Sequence, residues 1–514
     1  MNTNSRTKNT ILNMMSNFLY QIVIVILTFL SRRIFISNLG MDYLGIAGLF
    51  SNILDLLTLA ELGIGSAISF SMYKHLATKN EKKLQELVSY YKVLYNRIAL
   101  FILIVGLILL PFLKYIVNLE SDIANLELIY LIFLSNSVLS YLFVYKSTIV
   151  YADQHDYKIK MINIGIELLK CILQIVSMIT FKSYMVYIII QLVFTLYGNF
   201  IRSRMAEKWY PFIKEKAELP ESEKKTLWSD IKSMFFYKFG NVAMNHTDNI
   251  LISMFISTTT VGIFSNYTMI YTKITTFINL IFSSCIASIG NLNVSASGEE
   301  KYKMYKVLNF ISYILFSIAS IGIWFVIEDA IRVISNSNNY LLDKTSLLII
   351  VVNYYLMGVL HPNTIYRQTS GLFKYAKYSM LLCSVLNVIL SIILGKFYGL
   401  FGIILASVIS RILTNIWYEP YTLYTKFFMK NPKEYYLAVI FRTLLTIILI
   451  ALLTPVINLI TMENVYVRII LKTLICGSIP LGVFAIIFRK NEDYIYTKNK
   501  AKEILKKIFN KVRI

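Results

Sequence analysis

Long apolar stretches alternate with short charged segments along the whole chain, and this pattern sets the expectation for the fold. The stretches 101–112 and 444–460 contain almost no polar residues. A helix needs about 20 apolar residues to cross a bilayer, whereas a membrane-spanning strand needs about 9–11 and alternates in polarity. The pattern therefore predicts an all-α polytopic membrane protein and excludes an outer-membrane barrel. The candidate spans, about 14 in number, are approximately 11–36, 43–73, 95–117, 126–150, 161–181, 184–202, 234–256, 261–292, 307–327, 345–366, 379–396, 399–423, 435–457 and 466–488.

The composition agrees with this pattern, and the placement of charge orients the chain. Hydrophobic residues make up 56% and charged residues 16% of the chain, whereas charged residues make up about 25% of a soluble domain. The net charge of +22 lies in short segments between spans, which is typical of cytoplasmic loops. With the N-terminus inside, roughly 35 basic residues fall inside and roughly five outside. We expect a multi-pass protein of the cell (cytoplasmic) membrane with both termini cytoplasmic and with no nucleic-acid partner.

An internal repeat divides the predicted spans. Equivalent segments recur at nearly one offset, about 217 residues, and six spans separate them, so the halves have the same orientation in the membrane. The matching segments are 44–47 with 261–264, 77–82 with 296–301, and 157–158 with 373–374. The predicted domains are an N-terminal six-helix bundle (1–202), a cytoplasmic linker (203–233), a C-terminal six-helix bundle (234–430), two extra transmembrane helices (431–490) and a cytoplasmic basic tail (491–514).

Polar residues inside the spans indicate where a cavity should lie. A charge at the centre of a membrane helix costs about 2.5–3.5 kcal/mol on insertion scales, so it needs a cavity, a partner or access to the interface. The seventh span is the most informative, because four polar residues spaced by three, four and three positions form one continuous helix face. The predicted substrate-cavity residues are Arg32, Arg33, Asp55, Glu61, Lys238, Asn241, Asn245, Asp248, Lys273 and Arg411.

Other intramembrane charges have simpler interpretations. Arg32 and Arg33 lie near the predicted external end of the first span, where one of them could reach the interface. Glu167 lies one turn from Lys170 and is expected to neutralise it, a structural role rather than a ligand-binding one. We expect Lys146, like Arg97, to extend towards the inner interface.

The sequence contains no constellation of catalytic residues. The four histidines and four cysteines are dispersed without the spacing of a metal site or a disulfide framework. No phosphate-binding loop of the GxxxxGK[ST] type is present, and the external loops are too short for a catalytic domain. We therefore expect no enzyme activity and no cofactor, although a coupling ion, Na+ or H+, stays open.

Several short motifs are more specific than composition. In the first half they are SRRIF at 31–35, NLG at 38–40, YLGI at 43–46 and LAELGIGSA at 59–67, and in the second half SGLFKY at 370–375, NVILS at 387–391, YG at 398–399 and WYEP at 417–420. Together they resemble the Wzx-type polysaccharide or oligosaccharide repeat-unit flippases. That group belongs to the multidrug/oligosaccharidyl-lipid/polysaccharide exporter (MOP) superfamily, with the MATE exporters and the lipid II flippases. The resemblance covers about 12 of the candidate helices.

The resemblance implies a fold of two parallel six-helix bundles in a V, plus two C-terminal helices that could form a groove for a lipid tail. It also implies a flippase that moves undecaprenyl-pyrophosphate-linked oligosaccharide repeat units from the inner to the outer leaflet by alternating access. Capsule, O-antigen-like and teichoic acid precursors all stay open. In such a protein Arg32 or Arg33, together with Lys238 and Lys273, would hold pyrophosphate or an acidic sugar. The implied partners are the lipid-linked substrate, membrane lipids and glycosyltransferases or a polymerase of the same pathway.

Two other functions remain possible at this point. An ion-coupled small-molecule exporter of the MATE type would show cation-dependent drug efflux and leave surface glycan unchanged. A non-transporting scaffold for envelope synthesis would still support glycan assembly after Lys238 and Lys273 are replaced by alanine. A flippase with those substitutions would fold but lose export.

Overall fold

The computed structural model describes residues 3–61, 64–119, 123–228, 231, 246–370 and 373–512. No β-strand occurs in these ranges, so the predicted all-α class is confirmed. Up to residue 228 the helices are α1 (Thr3–Leu39), α2 (Met41–Leu57), α3 (Ile64–Ala77), α4 (Glu81–Leu109), α5 (Leu113–Ile116), α6 (Leu126–Ser140), α7 (Thr148–Ala152), α8 (Asp156–Thr180), α9 (Tyr184–Trp209) and α10 (221–228). From residue 248 they are α11 (Asp248–Phe255), α12 (Thr258–Ser295), α13 (Gly298–Ser335), α14 (Lys344–Ser370), α15 (Phe373–Leu413), α16 (Asn415–Leu423), α17 (Lys433–Asn458), α18 (Val465–Ile487) and α19 (Glu492–Val512).

Many of these helices match a bilayer in length and polarity. Within the described residues, nine helices are long and apolar enough to cross a membrane, and ten if the bent pair Leu126–Ser140 and Val144–Ala152 forms one span. The predicted number of about 14 spans stays a prediction. The chain is nevertheless a membrane protein, because helices of this length and hydropathy expose an apolar surface that water does not tolerate.

One of the nine stretches, Tyr378–Phe428, contains two helical arms rather than one. At Gly399 the backbone has φ +57°, a conformation that favours glycine. Ser379 Oγ donates to Asn415 Oδ1 at 2.5 Å, and Asn387 Nδ2 donates to Ser407 Oγ at 2.8 Å. Asn387 and Ser407 lie nearer to Gly399 than Ser379 and Asn415 do. Since the near residues pair with each other and the far residues pair with each other, the two arms run antiparallel. The two arms match the positions predicted at 379–396 and 399–423, and that each arm crosses the membrane stays a prediction.

The chain forms two compact units. Unit 1 contains Met1–Asn266 and Ile334–Asn336, and unit 2 contains Tyr267–Val333 and Ser337–Ile514. In unit 1, α1 packs along α8, while α6 packs against α4 and α9. In unit 2, α14 packs against α15 and α16. The two last long apolar helices, α17 and α18, contribute to a buried cluster with α13 and α14, which includes Phe310, Tyr355, Leu449 and Phe484.

Within unit 1, α2 crosses the first turns of α12 at very short range. A Cβ at Gly45 would overlap the carbonyl oxygen of Thr258, and a Cβ at Gly262 would lie 2.6 Å from the carbonyl oxygen of Met41. Small residues allow such close approach between membrane helices. Larger side chains at either glycine would therefore separate α2 from α12.

The contacts at this crossing are reciprocal in the repeat numbering. Thr259 Oγ1 donates to Asp42 Oδ1 at 2.5 Å, and the two residues are separated by 217 positions. With the same offset, the contact of Met41 with Gly262 corresponds to the contact of Gly45 with Thr258. Contacts between equivalent residues, and contacts that recur with the partners exchanged, are characteristic of a two-fold axis.

Candidate functional site

A polar cavity of about 230 Å³ lies within unit 1, among α1, α2, α8 and α9. Apolar residues such as Leu27 and Leu44 form part of its wall. Polar side chains outnumber these apolar ones, so the cavity offers several groups that can bind a polar ligand. The polar side chains that the cavity brings together are those of Thr28, Ser31, Arg32, Glu167, Lys170, Gln174, Tyr187 and Gln191.

Arg32 is held in this cavity by neutral groups of α12. Its Nε donates to Asn266 Oδ1 at 2.8 Å, and its Nη2 donates to Ser265 Oγ at 2.6 Å. Ser265 in turn donates its hydroxyl hydrogen to the carbonyl oxygen of Gly262 at 2.7 Å, which leaves its oxygen free to accept from the arginine. Both partners therefore orient the guanidinium without neutralising its charge.

The opposite wall of the cavity, from α8 and α9, carries a close ion pair and two amides. Lys170 Nζ lies 2.6 Å from Glu167 Oε2, which is the pair expected from the sequence. Gln174 Nε2 donates to the carbonyl oxygen of Tyr187 at 3.3 Å and to Gln191 Oε1 at 3.4 Å. Since Glu167 offsets Lys170, the cavity contains one excess positive charge, that of Arg32. Such a cavity attracts an anion and offers amides for hydroxyl groups.

The predicted acidic residues of the second span belong to a different cluster in unit 1. Asp55 Oδ2 lies 3.4 Å from Nδ1 of His246, and the same nitrogen donates to Asn52 Oδ1 at 3.1 Å. Asn52 is itself oriented by a bond from its Nδ2 to the carbonyl oxygen of Gly48 at 2.8 Å. The ion-pair partner of this carboxylate among the described residues is therefore a histidine rather than a lysine or an arginine.

Glu61 accepts a hydrogen bond from a buried tyrosine. The hydroxyl of Tyr95 donates to Glu61 Oε1, and the hydroxyl of Tyr91 donates to that of Tyr95. Both phenols come from α4, where they lie one turn apart and pack edge to face. A phenol is a neutral donor, so this hydrogen bond orients the carboxylate of Glu61 without forming an ion pair.

The other predicted cavity residues are placed as follows. Arg33 is exposed, although it is adjacent to Arg32. Asp248 is the first residue of α11 in unit 1. Lys273 on α12 and Arg411 on α15 are partly exposed in unit 2. Lys238, Asn241 and Asn245 lie outside the described residues.

Sequence reasoning missed several polar groups of the Arg32 cavity. Ser265 and Asn266 follow no helical polar face, and their role emerges only from the contact with a helix more than 230 residues earlier. Asn266 is completely buried in an apolar stretch, and that burial is the signal that marks it. Gln191 is a single amide within the apolar stretch 188–194 of α9. In the described ranges, no group of three or more His, Cys, Asp or Glu residues is arranged to hold a metal ion.

Comparisons with known proteins agree with this architecture. The MatE family matches residues 11–176. The lipid II flippase MurJ, in an inward closed conformation, has a similar structure, with 17% identity, a TM-score of 0.65 and coverage of 93% of this chain and 99% of that chain. No curated protein sequence matches the chain.

Two MATE transporters are also similar in structure. An inward-facing multidrug resistance MATE family transporter of the MOP superfamily is 14% identical, has a TM-score of 0.61 and covers 78% of this chain and 95% of that one. A MATE transporter from Vibrio cholerae is 13% identical, has a TM-score of 0.58 and covers 83% of this chain and 99% of that one. At these identities the comparisons establish a fold shared with the lipid II flippase MurJ and with the MATE transporters.

Proposed function

We propose that the protein is a flippase for undecaprenyl-pyrophosphate-linked oligosaccharide repeat units, such as precursors of capsule, O-antigen-like glycan or teichoic acid. The observation that carries this proposal is the Arg32 cavity. A guanidinium held by Ser265 and Asn266 keeps a full positive charge inside unit 1, where it can meet an anionic head group. Pyrophosphate is such a group, and arginine binds phosphate oxygens through parallel hydrogen bonds.

The chemistry of the cavity also suits the sugar part of the substrate. Two of the five N–H donors of Arg32 serve the bonds to α12, so the remaining donors can face a ligand. Gln174 and Gln191 provide amide donors and acceptors, which form hydrogen bonds with sugar hydroxyls. A cavity of about 230 Å³ is below the usual range of about 300–1,000 Å³ for ligand sites. We therefore propose that this cavity receives only the head group of the lipid-linked substrate and not its polyprenyl tail.

Chain coverage favours a lipid substrate over a small drug. The lipid II flippase covers 93% of this chain, whereas the two MATE transporters cover 78% and 83%. The chain also has two apolar helices, α17 and α18, that pack on the core of unit 2. We propose that these helices, predicted as an addition to two six-helix bundles, provide a surface for the polyprenyl tail.

The proposed mechanism is alternating access in the cell (cytoplasmic) membrane. The basic segments between spans support an orientation with both termini cytoplasmic, and transport would then run from the inner to the outer leaflet. The predicted division into bundles 1–202 and 234–430 remains a prediction of how the moving parts are divided. Glycosyltransferases or a polymerase of the same pathway are the proposed partners.

The carboxylates of the second span are candidates for ion coupling. Asp55 is paired with His246, and Glu61 is held by Tyr95. Neither carboxylate forms an ion pair with lysine or arginine within the described residues. We propose that one of them binds the coupling ion, H+ or Na+, because a carboxylate without a fixed cation can exchange one.

The decisive experiment is transport by the purified protein in vesicles. A fluorescent oligosaccharide on undecaprenyl pyrophosphate is placed in both leaflets, and its movement is followed by quenching from outside. Wild type and Arg489→Gln should transport it, whereas Arg32→Gln should not. Arg489→Gln is the matched control, because it removes the same charge from an exposed position after α18. A wild-type protein that leaves the lipid in its original leaflet contradicts the proposal.

A second candidate, an ion-coupled small-molecule exporter, is favoured by the MatE match to residues 11–176. The same vesicles distinguish the two candidates. An exporter would extrude a cationic dye when a Na+ or H+ gradient is imposed and would leave the lipid-linked sugar in place. A flippase would move the lipid-linked sugar between leaflets and would leave the dye in place.

A further inference from the structure

A second and larger cavity in unit 1 lies between α4, the 3-10 turn Val144–Ser147 and the segment 213–228 that follows α9. Its volume is about 860 Å³, within the range of about 300–1,000 Å³ that holds small ligands. The residues on this cavity are different from those that surround Arg32. The sequence pattern placed the same segment in a charged linker, and the cavity shows that it encloses a defined space.

Buried side chains and specific bonds hold the segment 213–228 against α4. Ile213, Leu219 and Leu227 are all at least 96% buried. The backbone N–H of Ala217 donates to a serine hydroxyl of α4 at 3.2 Å. Glu223 Oε1 lies 2.7 Å from Lys83 Nζ. The segment is therefore a folded wall of the cavity.

The lining of this cavity is strongly basic. The lining contains seven cationic side chains and three carboxylates, those of Glu215, Glu218 and Glu221. Two of the cations are neutralised, Lys146 by an ion pair with Glu207 and Lys224 by Glu221 at 2.7 Å. The hydrogen bond to Glu221 raises the pKa of Lys224. The seven cations are Lys92, Arg97, Lys146, Lys214, Lys216, Lys224 and Lys225.

The remaining five cations are available for a ligand. In the part of the chain that the structure describes, no ion pair involves Lys92, Arg97, Lys214, Lys216 or Lys225. They come from two walls, since two are on α4 and three are on the folded segment. These five cations outnumber the two other carboxylates of the lining, Glu215 and Glu218, so the cavity attracts an anion.

The aromatic side chains on this cavity are of the kinds that occur at the level of lipid head groups. Tyr90, Tyr145 and Trp228 line it, and the Nζ of Lys92 lies 5.9 Å from the centre of the Tyr145 ring. Tryptophan and tyrosine concentrate at the membrane–water interface, where an amphipathic ring meets both phases. A ligand at this depth could be the head group of a lipid or a soluble molecule that enters from water.

We propose that this basic cavity binds a diphosphate group. A diphosphate is compact and carries several negative charges, so it can contact cations of both walls at once through charge-assisted hydrogen bonds. The inference deepens and rests on the proposed function, because it names the place where the pyrophosphate of the lipid-linked substrate is first held. In the predicted orientation this place faces the cytoplasm, where such a substrate is made.

Binding of inorganic pyrophosphate to the full-length protein in detergent tests the proposal. Isothermal titration should show saturable binding, weakened about tenfold or more in the triple variant Lys214→Gln, Lys216→Gln, Lys225→Gln. These three side chains are exposed, so their replacement should leave the protein folded. The matched control, Lys490→Gln, Lys498→Gln, Lys502→Gln, removes the same charge from exposed positions beyond α18. Equal affinity in the two triple variants, or no binding to wild type, overturns the proposal.

The source of the diphosphate is resolved with nanodiscs that contain undecaprenyl pyrophosphate. If the lipid supplies the group, the protein should bind pyrophosphate weakly in discs that contain the lipid and more tightly in discs that lack it. If the ligand is soluble, the lipid should make no difference to pyrophosphate binding. Both outcomes retain a diphosphate site and differ only in its source.

The site and the proposed function can fail separately. Arg32→Gln tests transport through the Arg32 cavity, whereas the triple variant Lys214→Gln, Lys216→Gln, Lys225→Gln tests binding in the basic cavity, because the two cavities share no lining residue. A wild-type protein that binds pyrophosphate through this cavity but moves no lipid would remove the flippase proposal and keep the site. A triple variant that transports and binds like wild type would remove the site and keep the flippase.

Discussion

Arg32 and Arg367 are both arginines in long apolar helices, but their bonding partners differ in charge. Arg367 of unit 2 forms an ion pair with Glu419, and both side chains are only 5% exposed. Arg32 of unit 1 lines a cavity and is held by a hydroxyl and an amide oxygen. The first arginine is neutralised where it lies, whereas the second keeps its charge beside an open space.

This difference separates a structural charge from a charge that can serve a ligand. Both arginines must be compensated, since an isolated charge among membrane helices is costly. A carboxylate compensates the charge itself, and neutral hydrogen-bond acceptors compensate only the N–H groups. The field of Arg32 is therefore still available to an anion, whereas that of Arg367 is largely cancelled.

Breaking the buried pair should produce the largest effect on stability. Arg367→Met leaves Glu419 buried without its ion-pair partner, which should lower the free energy of unfolding by about 3–5 kcal/mol. The measurement is unfolding of the detergent-solubilised protein in mixed micelles. The double variant Arg367→Met, Glu419→Leu should recover most of the loss, because no buried charge remains. A single variant as stable as wild type would mean that the pair is not a structural element.

The helix crossing that positions the partners of Arg32 should be the next most sensitive. Gly262 lies against Met41, and its carbonyl oxygen accepts from Ser265. Gly262→Ala places a Cβ 2.6 Å from the Met41 carbonyl oxygen and should cost about 1–3 kcal/mol through overpacking. The control is Gly165→Ala on α8, because a Cβ there meets no atom within 4 Å. If both variants unfold alike, the close approach of α2 and α12 is not required.

Removing the charge of Arg32 should affect transport more than stability. Arg32→Gln retains a side chain that can bond to Ser265 and Asn266 but lacks the positive charge. Vesicle transport should fall by at least about tenfold, the loss of one charge-assisted contact, while the unfolding midpoint changes little. Arg33→Gln removes a charge from the adjacent, exposed position and shows which of the two arginines matters. A destabilised Arg32→Gln with normal transport per folded molecule would make Arg32 a structural residue like Arg367.

The sequence predicted the membrane class and many helix positions, because an apolar run long enough to cross a bilayer is visible within a short stretch of sequence. At Gly399, for example, the predicted boundary between the spans 379–396 and 399–423 coincides with the turn between the two helical arms. The choice between Arg32 and Arg33 could not be predicted, because the rotation of α1 is set by packing against α8 and α12. Glu223 is similar, since its charge was evident but its partner Lys83 lies 140 residues earlier. The residues 229–230 and 232–245, which contain most of the predicted polar face, are outside the described ranges.

The hydroxyl of Ser265 should have the smallest effect of these four changes. Ser265→Ala removes the acceptor for Arg32 Nη2, yet Asn266 still accepts from Nε. The net cost of one such bond is about 0.5–1.5 kcal/mol, and because the charge remains, transport should fall only a few-fold. Ser257→Ala is the control, since that hydroxyl bonds to Thr260 and not to Arg32. If Ser265→Ala removed transport as completely as Arg32→Gln does, the orientation of the guanidinium, rather than its charge, would be what distinguishes Arg32 from Arg367.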